Sequence, residues 1–291
     1  MQPSTGVWRR LRIILEMIKF EHTLFALPLA FAGVLLAHET WPSIRTVLLV
    51  LVAMVGARSA AMAFNRVADA TLDARNPRTR DRALPTGLIS VGLGLAFIAG
   101  ASLLYFVSAY LLNTLCFVLS FPALAILLLY SYTKRFTTLC HLFLGLALAL
   151  APFGGWLAVT GRFDWKAAAL SPGVLFWVAG FDVLYACMDV EFDREVGLFS
   201  IPATLGRKRA LQLSRLLHAL AWCCLAGAGL VLGLGVLYFV GIVGVGVLLV
   251  YEHLLVKPHD LSRVGTAFFT VNSWVSVVLF LGVLGDKVFS S

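Results

Sequence analysis

Nine apolar stretches follow one another along the chain, each close to the roughly 20 residues that carry an α-helix across a lipid bilayer. They fall at about 23–40, 46–64, 88–110, 112–131, 139–160, 169–187, 212–232, 235–254 and 265–285. The longest run, 217–255, is too long for one span and divides at Gly233-Leu234-Gly235. Composition agrees with this reading. Of 291 residues, 60% are apolar and 13% charged, whereas soluble domains carry about 25% charged residues. Too little charge is left to cover a water-facing surface, which excludes a soluble enzyme and a disordered chain alike. The expectation is an all-α integral membrane protein with about nine transmembrane helices, residues 1–291 forming a single membrane-embedded domain.

Net charge is +8, but this is not the signature of a nucleic-acid binder. The basic residues sort by side of the membrane. With the N-terminus cytoplasmic, eighteen of the 23 fall in cytoplasmic segments, four (Arg45, Arg162, Lys166 and Lys287) on the other side, and Arg58 inside a span. That asymmetry obeys the positive-inside rule and predicts a multi-pass inner-membrane protein with its polar segments cytoplasmic. Glu16, Lys19 and Glu21 interrupt any apolar signal core, so no cleavable leader is expected. Residues 8–20 read instead as an amphipathic helix on the cytoplasmic face. The five cysteines lie in apolar stretches without a CxxC pair and read as packing residues.

Polarity is concentrated in two cytoplasmic segments, 65–87 and 188–210. In the first, Asn65, Asp69 and Asp73 recur every four residues; in the second, Asp189 and Asp193 do the same. Four residues is about one helical turn, so each set forms an oxygen-rich stripe. Like charges stacked this way repel unless a cation lies between them, and an all-oxygen donor set suits Mg²⁺ completed by substrate phosphates. With Arg and Lys around them, the two stripes describe a diphosphate site. Arg58 precedes Asn65, and Asp182 precedes Asp189, by seven residues, which is two turns. Each therefore lies on its stripe's face about 10 Å deeper in the membrane. These two either form a buried ion pair or line a pocket above the metal, with Arg58 holding an anionic acceptor and Asp182 orienting it or taking its proton; the readings are compatible.

These residues resemble a UbiA-type membrane polyprenyltransferase over roughly 8–290. The family's first motif is matched by Asn65, Asp69 and Asp73, and its second by Tyr185, Ala186, Asp189 and Asp193, with Asp182 ahead of it. The segment Tyr130-Ser131-Tyr132-Thr133-Lys134-Arg135 is similar to the family's middle cytoplasmic loop. Arg66 departs from the pattern, standing where many members carry an acid, and Glu191 is an additional acid. Residues 16–28 and Asn76-Pro77-Arg78-Thr79 resemble the branch that prenylates hydroxylated aromatic carboxylates in ubiquinone or menaquinone biosynthesis. The resemblance implies a UbiA-type helical bundle in which Mg²⁺ on Asn65, Asp69, Asp73, Asp189 and Asp193 binds a polyprenyl diphosphate. It implies further that Arg78, Arg82, Lys134 and Arg135 hold the diphosphate and that Phe64, Tyr130, Tyr132 and Tyr185 line the allylic carbocation. Arg58 and Asp182 would receive the acceptor, 4-hydroxybenzoate or alternatively 1,4-dihydroxy-6-naphthoate.

A secondary transporter is the rival of another class, but it would place its ion-binding charges near the bilayer midplane, not at one surface. Alcohol phosphotransferases need glycines between their aspartates, and a purely structural subunit needs no matched acidic stripes. The last three spans, with Glu252, His253 and Asn272 as their main polar residues, read as scaffold, and His141 and His218 as interfacial or packed.

Overall fold

The computed structural model describes residues 6–18, 23–37 and 41–289. The sequence expectations for residues 19–22 and 38–40 lie outside this set. Helix α1 (Val7–Met17) is followed by α2 (Thr23–Leu36), α3 (Ile44–Ala68) and the short α4 (Ala70–Arg75). Next come α5 (Val91–Leu112), α6 (Thr114–Thr133), α7 (Cys140–Thr160) and α8 (Ser171–Ala186). The short α9 (Val190–Val196) leads to α10 (Ile201–Leu232), α11 (Val236–Leu255), a π-helical turn (Thr266–Val271) and α12 (Asn272–Phe289).

Eight of these segments are long and apolar enough to cross a membrane, and the shorter Ala26–Leu36 makes the ninth apolar helix. The starts follow local chemistry. Ser90, Asn113 and Ser200 each accept a backbone N–H of the first turn of α5, α6 and α10. The long apolar run is broken where the sequence indicates, because Gly233 adopts φ +67° and ends α10.

Each spanning helix packs on the next in chain order, and α12 returns to α2, so the bundle closes on itself. Small residues permit close contact, as expected where lipid gives helices no hydrophobic reason to associate. A Cβ on Gly155 would stand 2.1 Å from the Ala30 carbonyl oxygen, which fixes α2 against α7. Outward faces are apolar. On α11, Val236, Val240, Val243, Val247, Val250 and Leu254 form one exposed stripe, a surface suited to acyl chains and not to water. Helix α1 is amphipathic as expected: Ile14, Met17 and Ile18 are buried against Ala63, Leu84, Ile89 and Ile98, while Arg12 and Glu16 pair on the exposed side.

Candidate active site

Both acidic motifs sit at the same kind of helix break. Asp69 (φ −98°, ψ 5°) separates α3 from α4, and Asp189 (φ −102°, ψ 8°) separates α8 from α9. Helical hydrogen bonds nevertheless flank both breaks, tightened to i to i−3 just before the second, where Asp189 N–H donates to the Ala186 carbonyl (3.1 Å). Asp69 N–H donates to the Asn65 carbonyl (3.0 Å), Asp73 N–H to that of Asp69 (2.7 Å), and Asp193 N–H to that of Asp189 (2.8 Å). The two stripes therefore persist, and all five residues line one cavity of about 730 Å³.

At its polar end, basic side chains already engage three of the carboxylates. Lys134 Nζ donates to Asp69, and Arg82 Nη1 reaches both oxygens of Asp73 at 2.8 and 2.9 Å. Arg78 grips Asp189 in a fork, Nε to Oδ1 at 2.9 Å and Nη2 to Oδ2 at 2.6 Å. The Asn76 amide adds a bond of 3.1 Å to Asp189, so the loop after the first motif reaches across to the second. Asp193 accepts from the Ser200 hydroxyl at 2.8 Å. Burial works against the Arg78 cation, yet the hydrogen bond and charge of Asp189 outweigh it and hold the guanidinium above the ordinary arginine value. Burial pushes the Asp193 carboxyl above the usual carboxylate range, against the pull of Ser200.

The balance of charge sets what this cavity can accept. Among the described residues the lining contains five carboxylates (Asp69, Asp73, Asp182, Asp189, Asp193) and five permanent cations (Arg58, Arg66, Arg78, Arg82, Lys134). It is formally neutral, and a diphosphate ester adds roughly three negative charges, which must arrive with counter-cations. Among the described residues, no three His, Cys, Asp or Glu side chains stand close enough to cage a metal ion by themselves. The oxygen donors of Asn65, Asp69, Asp73, Asp189 and Asp193 fit Mg²⁺, a hard cation that keeps water and is completed by phosphate oxygens.

Deeper in, the lining becomes aromatic and then aliphatic. Trp177, Phe181 and Tyr185 recur every four residues on α8, and Phe268 and Phe269 meet them from the π-helical turn. The Tyr185 and Phe268 rings are 4.1 Å apart between centroids, and Phe181 meets Phe268 edge-on at 5.2 Å. Beyond this wall the cavity continues between Leu29, Val50, Met54, Leu119, Leu148 and Ala151. A charged mouth, an aromatic waist and an apolar chamber match an ionic head joined to a long hydrocarbon.

The pattern of the UbiA prenyltransferase family matches residues 26–274. The chain belongs to this family. It is 33% identical to the 4-hydroxybenzoate octaprenyltransferase of Aromatoleum aromaticum, over 87% of this chain and 85% of that one. The enzyme of the same name from Nitrosospira multiformis is 32% identical over 87% of each chain. A UbiA homolog from Aeropyrum pernix K1, solved without ligands, superposes with a TM-score of 0.83 at 37% identity, covering 91% of this chain and 98% of that one. A UbiA homolog from Archaeoglobus fulgidus, solved with DMAPP and Mg²⁺, shares the fold at a TM-score of 0.65 and 21% identity, covering 91% and 98%.

In this UbiA-family prenyltransferase most of the residues expected from sequence converge on the cavity: Arg58, Asn65, Asp69, Asp73, Arg78, Arg82, Tyr130, Lys134, Asp182, Tyr185, Asp189 and Asp193. Three do not line it. Phe64 and Tyr132 pair with each other, ring centroids 5.7 Å apart, because their places on α3 and α6 point them along the interhelical seam. Arg135 lies over the Tyr132 ring and donates to the Ala68 carbonyl, touching Asp69 only at 3.4 Å. The aromatic waist is built instead from α8 and the π-helical turn. The last spans are accordingly more than scaffold, since Phe268, Phe269 and Asn272 all face the cavity. Asp182 pairs with His141, not with Arg58; Arg58 reaches the Ile18 carbonyl at 3.4 Å, beside Arg66 on that of Met17 at 3.3 Å. Both arginines thus meet the C-terminal carbonyls of α1. Glu191, the additional acid, pairs with Arg207 at the surface. The four-residue spacing of Trp177, Phe181 and Tyr185 was a usable signal for the waist; nothing local in the sequence marks Phe268 or His141.

Proposed function

We propose that the enzyme transfers a polyprenyl group from an allylic polyprenyl diphosphate to the ring of a hydroxylated aromatic carboxylate, 4-hydroxybenzoate first among them. The observation that carries this reading is the single cavity that runs from paired carboxylates and cations, past an aromatic waist, into an apolar chamber. Asn65, Asp69, Asp73, Asp189 and Asp193 would hold Mg²⁺, which when bound supplies positive charge to the departing diphosphate. Arg78, Arg82 and Lys134 are placed to exchange their carboxylate partners for phosphate oxygens. The allylic C–O bond then breaks, its electron pair leaving with the diphosphate. The faces of Tyr185, Phe181 and Phe268 shelter the resulting carbocation and exclude water. A carbon–carbon bond forms at the ring position beside the acceptor's hydroxyl, and one proton leaves the ring. Arg58 would hold the acceptor's carboxylate, and Asp182 its hydroxyl. The surplus of basic residues on this side supports a site at the cytoplasmic face of the inner membrane.

Membranes containing the protein, supplied with geranyl diphosphate and Mg²⁺, would be offered 4-hydroxybenzoate, 1,4-dihydroxy-6-naphthoate and 1,4-dihydroxy-2-naphthoate separately. A prenyl adduct with 4-hydroxybenzoate by mass spectrometry, lost in D69N and D189N, is the expected result. An adduct only with a naphthoate would keep the chemistry and replace the acceptor. No adduct from any of them, with a longer donor also failing, would refute the reading.

A further inference from the structure

Helices α7 and α8 lie against each other because Gly145 carries no side chain: a Cβ there would stand 2.4 Å from the Leu175 carbonyl oxygen. This approach brings His141, one turn before Gly145, opposite Asp182 near the far end of the antiparallel α8. His141 Nδ1 lies 2.6 Å from Asp182 Oδ2, and both residues line the cavity. The imidazole's other nitrogen, Nε2, faces the backbone N–H of Ile201 at 3.3 Å. Ile201 is the first residue of α10, where N–H groups lack partners within the helix. A backbone N–H can only donate, so Nε2 must be the acceptor and the ring proton sits on Nδ1. His141 therefore donates to Asp182. The histidine side chain is 3% exposed, whereas Asp182 is 24% exposed and open to the cavity. One carboxylate oxygen is thus occupied from within the bundle, and Oδ1, which no described residue bonds, is left for a bound molecule.

We propose that His141 is the positioning residue for Asp182, holding its carboxylate in one orientation as the hydrogen-bond acceptor for the hydroxyl of the aromatic substrate. The proposal rests on the reading of Asp182 given above. It centres the effect of His141 on the acceptor half of the reaction: the diphosphate cations Arg78, Arg82 and Lys134 make none of their contacts through it, and its one tie toward the metal side is the Ile201 N–H, next to the Ser200 that bonds Asp193.

The test uses the full chain and the acceptor that the wild type prenylates, with geranyl diphosphate as donor. H141L, H141N, D182N and H141L/D182N are compared by kcat and by KM for each substrate. H141L should lower kcat/KM for the acceptor about 10–100-fold, the usual effect of removing a group that orients a functional ligand, and leave KM for geranyl diphosphate within about twofold. H141N, whose amide can replace the Nδ1–H donor, should recover to within about tenfold of wild type. In the D182N background, H141L should add no more than about a twofold loss. Equal loss toward both substrates in H141L, or full additivity with D182N, would overturn the proposal. Should H141L not accumulate as folded protein, H141N alone decides: a loss beyond about tenfold overturns the proposal, and a smaller one supports it. A wild type that prenylates no acceptor would instead overturn the proposed function, and an active D182N would remove the role given to Asp182.

Discussion

Removing the Arg78–Asp189 pair one partner at a time, and then both together, separates its structural from its functional contribution. Asp189 receives three hydrogen bonds, two from Arg78 at 2.6 and 2.9 Å and one from Asn76 at 3.1 Å. Charge-assisted bonds of this kind are worth about 1.5–3 kcal/mol when buried. Here the arginine side chain is 33% and the aspartate 16% exposed, so solvent screening reduces the pair to roughly 1–2 kcal/mol. D189N or R78M alone should therefore lower Tm by about 2–8 °C, at some 2–4 °C per kcal/mol. Activity should fall much further. Loss of a preorganised group that neutralises charge in the transition state costs about 10²–10³-fold, or roughly 2.7–4 kcal/mol. The double variant R78M/D189N leaves no stranded charge, so its stability should return to within about 1 kcal/mol of wild type. Its activity should not return, because both the proposed metal ligand and the proposed phosphate ligand are gone. Thermal unfolding of the purified protein and initial rates with geranyl diphosphate measure the two quantities side by side. A double variant as active as wild type would show the pair to be an ordinary surface ion pair and refute the exchange of counter-ions argued above.

The aromatic waist makes a sharper chemical prediction. F268L should shift products from prenylated acceptor toward prenyl alcohol, because water then reaches the carbocation, whereas F64L, whose ring pairs with Tyr132 away from the cavity, should leave that ratio unchanged; chromatography of both products decides. The buried Asn272 accepts from Trp177 Nε1 at 2.6 Å and donates to Glu252 and to the Ala267 and Phe268 carbonyls at 3.0–3.1 Å. N272L strands the fully buried Glu252 and should cost about 2–3 kcal/mol, read as a lower Tm together with the product shift of F268L. EDTA should abolish turnover and Mg²⁺ restore it. Because burial holds Asp193 above the usual carboxylate range, it takes up its proton earlier as pH falls, and a protonated carboxyl is lost as a ligand. The Mg²⁺ concentration for half-maximal rate should accordingly rise as pH is lowered; a requirement independent of pH would contradict this.

By itself, the order of residues along the chain determined the properties that depend on near neighbours. Span length, the division at Gly233, the amphipathic character of α1 and the two acidic stripes all follow from spacing within a few turns, which helix geometry converts directly into position. The stripes survive even the breaks at Asp69 and Asp189, because the chain stays helically hydrogen-bonded on both sides of each, i to i−4 around Asp69 and tightened to i to i−3 at Asp189 before i to i−4 resumes at Asp193. Tertiary structure alone decided which distant residues meet. Phe64 and Phe268 are equally apolar, yet helix rotation turns one into a seam, and a π-helical turn, with its altered register, swings the other into the cavity. His141 and Asp182 are 41 positions apart, and their contact depends on a glycine that lets two helices approach, a condition no local pattern encodes. The charge balance of the cavity likewise appears only when two loops more than a hundred residues apart close over one space, with Asn76 and Arg78 of the first gripping Asp189 of the second.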